Sequence, residues 1–73
     1  MLMEENTILK ISTRIKEIRK DKSITVQELA DLAGVSKGLI SQIENNRTIP
    51  SLMVLISNIN ALDVDLNQFF KHI

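Results

Sequence analysis

Among its 73 residues the chain has no cysteine, no tryptophan and no tyrosine, with one histidine, one proline and two glycines. Without cysteine there is neither a disulfide nor a thiolate metal site, which fits a reducing cytoplasm. His72 alone cannot build a histidine ligand cluster, so no metal and no cofactor are expected. No apolar run approaches the ~20 residues of a membrane span, and the acidic start MLMEEN lacks the basic-then-apolar order of a secretory leader. A soluble cytoplasmic protein is the expectation. No nucleophile–base pair or carboxylate pair suggests an enzyme. A chain of this size forms one domain, residues 1–73, and buries only about 60% of its unfolded surface. Helix packing and self-association are the supports left to it.

An excess of either charge is also missing: nine bases face nine acids, so the net charge is zero and does not by itself advertise a nucleic-acid ligand. The charges are unevenly placed. Lys10, Arg14, Lys16, Arg19, Lys20 and Lys22 stand against Glu17 and Asp21, whereas Thr48 to Phe70 holds no base. A solvated helix face and a binding surface both fit that clustering.

What the chain does have is helix signals. Ile8, Ile11, Ile15 and Ile18 recur at helical spacing and predict a first helix over about 7–21. Four further starts share one pattern, a capping residue preceded by an apolar one and followed by another at helical distance. Thr25 begins the second helix, with Glu28 closing a capping box and Ile24 stapling to Leu29. Ser36 begins the third, with Val35 opposite Ile40. Ser51 begins the fourth, whose inner stripe is Leu52, Leu55, Ile59 and Leu62. Asp65 begins the fifth, with Gln68 at the box position and Val64 opposite Phe69. The fold class is therefore all-α, a compact five-helix domain.

Gly34 lies between the second and third helices, where a left-handed ending suits glycine, and Ala30 one turn earlier permits a close crossing. Asn46 suits a similar ending after the third helix. The spacing of Leu29, Ala30, Gly34, Val35, Ile40 and Ile43 is that of a helix-turn-helix unit over about 25–45, and equally that of an ordinary helical hairpin.

The third helix, about 36–45, turns Leu39, Ile40 and Ile43 to one side and Gly38, Ser41 and Asn45 to the other, flanked by Lys37 and Gln42. Short hydrogen-bonding side chains, one base and a gap suit a polar groove better than a merely solvated face. Lys37 can donate to guanine O6 and N7, and Gln42 can pair with adenine N6 and N7. Ser41 and Asn45 can reach phosphates or bases. Gly38 removes a Cβ where helix and groove edge would come closest.

RIKEIRK, VQELADLAGVSKGLISQIENNRTIPSL and ALDVDLNQFF together resemble the Xre/Cro-type helix-turn-helix domain of phage repressors and bacterial regulators, over about residues 12–70. The resemblance implies a lambda-repressor-like fold with the helix at Ser36 as recognition helix. It places Ser36, Lys37, Gly38, Ser41 and Gln42 along the groove and Asn45 and Arg47 at phosphates; Lys37, Gly38, Ser41 and Gln42 are the expected base contacts, and Ser36, Asn45 and Arg47 the expected backbone contacts. It also implies a largely buried ion pair between Arg19 and Glu44, a matter of architecture rather than chemistry. Two positions depart from the family. Val26 stands where a phosphate-contacting glutamine is usual, so that contact is lost or moves to Gln27. Asn46 replaces the usual glycine.

The fourth helix carries more apolar residues than one core needs. Met53, Val54, Ile56, Phe70 and Ile73 are the expected dimer interface, with Leu9 and the Met1–Leu2–Met3 tail adding apolar surface. The resulting expectation is sequence-specific binding of a near-palindromic double-stranded operator by a homodimeric transcriptional regulator, a repressor, in a bacterial or phage cytoplasm. Two alternatives stand beside it: an antitoxin-like protein-interaction module, and the N-terminal DNA-binding part of a longer cupin-type regulator.

Overall fold

The computed structural model describes residues 2–71 and 73, with side chains from Thr7 onward apart from His72. The expected Met1–Leu2–Met3 apolar tail lies outside these described side chains. Five helices follow in order, α1 (Leu2–Asp21), α2 (Val26–Ala33), α3 (Lys37–Glu44), α4 (Leu52–Ala61) and α5 (Leu66–Phe70). Among the described residues there is no strand. Helix α1 starts five residues before the predicted position 7. Apolar periodicity begins only at Ile8, but Leu2, Met3, Glu4 and Glu5 are good helix formers.

The four capped starts are formed, although the Gln68 side chain does not complete a box with the Asp65 N–H. Thr25 Oγ1 accepts from the Glu28 N–H at 3.0 Å while the Thr25 N–H donates to Glu28 Oε1 at 2.9 Å, a complete capping box. Ser36, Ser51 and Asp65 accept from the backbone N–H groups of Leu39, Val54 and Gln68. Gly34 is left-handed at φ 73°, with its N–H on Asp31 O and the Val35 N–H on Ala30 O. That is a Schellman ending, and it turns α2 sharply into α3. Asn46, at φ 59°, closes α3 in the same way through Ile43 O and Gln42 O. Ser23 and Asp63 adopt the same left-handed conformation after α1 and α4.

The core gathers one or two residues from each element: Ile15, Ile18, Leu29, Ala30, Ile40, Ile43, Ile59, Leu62 and Phe69. Ala30 is fully buried and has the small side chain that a close crossing requires. Helix α2 packs on α3 and α4, and α1 packs on α3. The inner stripe of α4 differs from expectation. Leu52 is 73% exposed, and Asn58 is completely buried at the helical position that follows Leu55. The stripe thus begins one turn later, at Leu55, and includes a polar residue that hydropathy alone assigns to the surface.

The basic cluster of α1 is partly structural. Arg14 donates from Nε to Phe69 O and from Nη2 to Gln68 O, each at 3.3 Å, tying α5 to α1. Lys22 Nζ reaches Asp63 O at 3.4 Å, beyond the end of α4. Helix C-termini leave carbonyls without partners, and cations there satisfy them favourably.

Candidate nucleic-acid interface

Helix α3 is held from below and at both ends. Ile40 and Ile43 are fully buried beneath it, and Ser36 caps its first turn. At its last residue, Glu44 Oε2 and Oε1 accept from Arg19 Nε and Nη2 at 2.7 and 2.9 Å. Arg19 Nη1 also donates to Ile24 O at 2.8 Å, so one guanidinium joins α1, the approach to α2 and the end of α3. Bidentate charge-assisted bonds of this kind fix orientation as well as distance. Both residues are buried, and their role is to orient the helix.

The outward face is open. Lys37, Gly38, Gln42 and Asn45 are exposed and Ser41 is half-buried. A Cβ placed on Gly38 would meet nothing within 4 Å. No packing inside the chain therefore requires a glycine there. Its φ is not in the left-handed region, where Gly34 is the one glycine found. Lys37 and Gln42 make no side-chain hydrogen bond with the rest of the described chain, so their donors remain available.

The expected backbone-contacting residues fall into two groups. Arg47 follows α3 at the surface, beside a hollow of about 340 Å³ shared with Ile8, Leu9, Asn46, Thr48 and Ile49. Its guanidinium has no partner among the described residues. Ser36 Oγ accepts from Leu39 N–H at 3.0 Å and still has its own hydrogen to donate. Asn45 and Gln27 are engaged locally. Asn45 Nδ2 folds back onto Ser41 O at 2.9 Å, with Ser41 Oγ at 3.4 Å. Gln27 Nε2 donates to Asp31 Oδ1 at 2.9 Å. Asp31 was not singled out by its sequence context, although the i, i+4 spacing from Gln27 was there to be read.

Of the apolar residues expected at a dimer surface, Met53 is 79% exposed and Phe70 is exposed with its ring edge-on to Phe69. Val54 and Ile73 are half-buried against the chain's own core, and Ile56 is half-buried. Ile49 and Leu52 are exposed and adjoin Met53 in sequence.

Two short helices joined through a left-handed glycine, with an apolar inner face, a pinned second helix and an open polar outer face, define a helix-turn-helix domain. The chain belongs to the helix-turn-helix family, whose model matches residues 15–69. It is 43% identical over 65 residues to the HTH-type transcriptional regulator SinR of Bacillus subtilis (strain 168), covering 85% of this chain and 59% of that protein. It is 35% identical over 57 residues to the immunity repressor protein of Bacillus phage phi105, covering 78% of this chain and 40% of that one. Among solved structures it is similar to a variant of the restriction-modification controller protein C.Esp1396I, with a TM-score of 0.86 and 31% identity. That match covers 88% of this chain and 83% of the other. The chain spans about half the length of the curated relatives it matches. The similarity bears out the Xre/Cro-type resemblance and the five-helix fold.

Proposed function

We propose that this chain is the DNA-binding unit of a transcriptional regulator, a repressor acting as a homodimer on a near-palindromic operator in a bacterial or phage cytoplasm. The observation that carries the reading is Gly38. A glycine in the first turn of a helix costs up to about 1 kcal/mol relative to alanine, and here its Cβ would meet open space. Close approach of an outside partner accounts for it. The open donors of Lys37 and Gln42 suit a groove lined with base edges, and relatives named as regulators and repressors support the same reading.

In this mechanism no bond is made or broken. Lys37, Gly38, Ser41 and Gln42 meet base edges, while Ser36, Arg47 and Asn45 hold the phosphates, Asn45 after releasing its contact with Ser41. The helix dipole and Ser36 cap favour phosphate at the start of α3. Repression follows from occupancy of the promoter. Met53 and Phe70, extended by Ile49 and Leu52, supply apolar surface for a second copy, which would set two recognition helices about 34 Å apart along the duplex.

The test compares two alanine variants on a panel of related duplexes. Lys37→Ala is expected to lose discrimination at one base position by about 1–3 kcal/mol. Arg47→Ala is expected to weaken every duplex alike and to flatten the salt slope by about one. Unchanged relative affinities in Lys37→Ala would remove the base-reading role assigned to it.

A further inference from the structure

The outer edge of α2 is acidic where a DNA-facing edge is normally basic. Between Thr25 and Arg47 the chain carries three acids, Glu28, Asp31 and Glu44, and two bases, Lys37 and Arg47. Glu44 is matched by Arg19, and Glu28 is held on the Thr25 backbone N–H. Asp31 is exposed and forms no ion pair among the described residues. Its single described side-chain bond is the one accepted from Gln27 Nε2 at 2.9 Å.

That contact bears on the phosphate-binding role of α2. The Val26 side chain, at the first position of the helix, is half-buried against the core and has no donor to offer. Gln27 is the next residue with a side-chain donor, and its amide nitrogen is turned along the helix onto a carboxylate, which engages one of its two hydrogens. A phosphate oxygen accepting the second hydrogen of that nitrogen would lie about 5 Å from the Asp31 oxygen, and two like charges at that distance repel. We infer that Asp31 is a positioning residue that limits DNA affinity by holding the Gln27 amide along the helix, with one of its two hydrogens engaged, and by opposing the phosphate beside it.

This inference rests on the DNA-binding reading above, deepens it, and explains how an interface with two open bases can remain selective. Phosphate contacts add affinity for all sequences alike. Weakening one leaves a larger share of the binding to the base contacts of α3.

The test is a double-mutant cycle read by fluorescence anisotropy on one labelled duplex, with wild type, Asp31→Ala, Gln27→Ala and the double variant. Both residues are exposed, and thermal melts verify that each variant is folded. Asp31→Ala is expected to bind about three- to tenfold more tightly at low salt. That gain should shrink as salt rises. Gln27→Ala should cost little in the wild-type background and more once Asp31 is gone. Asp31→Asn separates the two contributions, since it keeps an acceptor for Gln27 and removes the charge; it should recover part of the gain. Unchanged or weaker binding by Asp31→Ala overturns the inference, as does a Gln27→Ala effect of equal size in both backgrounds. Failure of the wild type to bind any duplex is a separate result, and it would overturn the DNA-binding reading before the variants are compared.

Discussion

On the proposed reading, Gly38 is the residue where stability and function pull apart. Gly38→Ala fills open space and adds a better helix former, so the melting temperature should rise by several degrees, as expected for up to about 1 kcal/mol in a domain this small. The added methyl would stand where the groove edge comes closest, so DNA affinity should fall about tenfold or more, the effect of a single misplaced contact of about 1.4 kcal/mol. Thermal melts and DNA titrations on the same preparation test both effects. A more stable variant with unchanged affinity would show that the glycine serves no close approach. Arg19 is the opposite case, since its bonds to Glu44 lie within the fold. Arg19→Ala leaves a buried carboxylate without its partner, a loss of about 3–5 kcal/mol. Total stability at this length is only about 4–11 kcal/mol. Urea unfolding should therefore show a much lower midpoint or no folded baseline, and a loss under 1 kcal/mol would contradict the pinning role of this pair.

At the scale of the element, the starts and stops of the helices were the most legible features of the sequence. Thr25, Ser36, Ser51 and Asp65 each satisfy a local hydrogen-bonding need, which depends on residues only a few positions away. Gly34 and Asn46 were legible for the same reason, because their conformation is set locally. The interior of α4 was not. Asn58 is buried although neither its Oδ1 nor its Nδ2 has a partner among the described residues, a burial that ordinarily costs about 1–3 kcal/mol. Leu52 is exposed because the packed stripe starts at Leu55, a boundary set by tertiary contact rather than by local pattern. The open face of α3 was visible from periodicity, whereas the local engagement of Asn45 and Gln27 depended on rotamers that residue spacing leaves undetermined. The capping box also gives α2 a pH signature. The Thr25 backbone and hydroxyl hold the Glu28 carboxyl below its ordinary value of 4.5. A depressed folded-state pKa means the ionised box stabilises the fold fully above that ordinary value, and the contribution fades as the pH falls through the folded value. Glu28→Gln should therefore narrow the difference in melting temperature between pH 6 and pH 3, and an identical pH profile in both proteins would show that the ionised box adds nothing.

For the whole molecule, part of the basic cluster has a structural account. Arg14 and Arg19 of α1, and Lys22 just after it, are engaged by α5, by Glu44 and by the chain after α4, so they organise the fold rather than present a uniform basic surface. Between Thr25 and Arg47 the bases are Lys37 and Arg47 alone, so on the proposed reading discrimination depends on the hydrogen-bonding face of α3. The apolar residues Ile49, Leu52, Met53 and Phe70 remain outside the core, in a domain too small to gain much stability from its interior alone. A second copy would cover such surface and add a second recognition helix. None of the described helices is long and apolar enough to cross a membrane. The most direct test is a fluorescence anisotropy titration of the chain against its own upstream promoter duplex and a scrambled duplex of equal length, at several salt concentrations around ~0.15 M. The account predicts a preference of about 10³ or more for the promoter, with two chains per duplex at saturation. Weak binding, equal for both duplexes and lost at moderate salt, would contradict it.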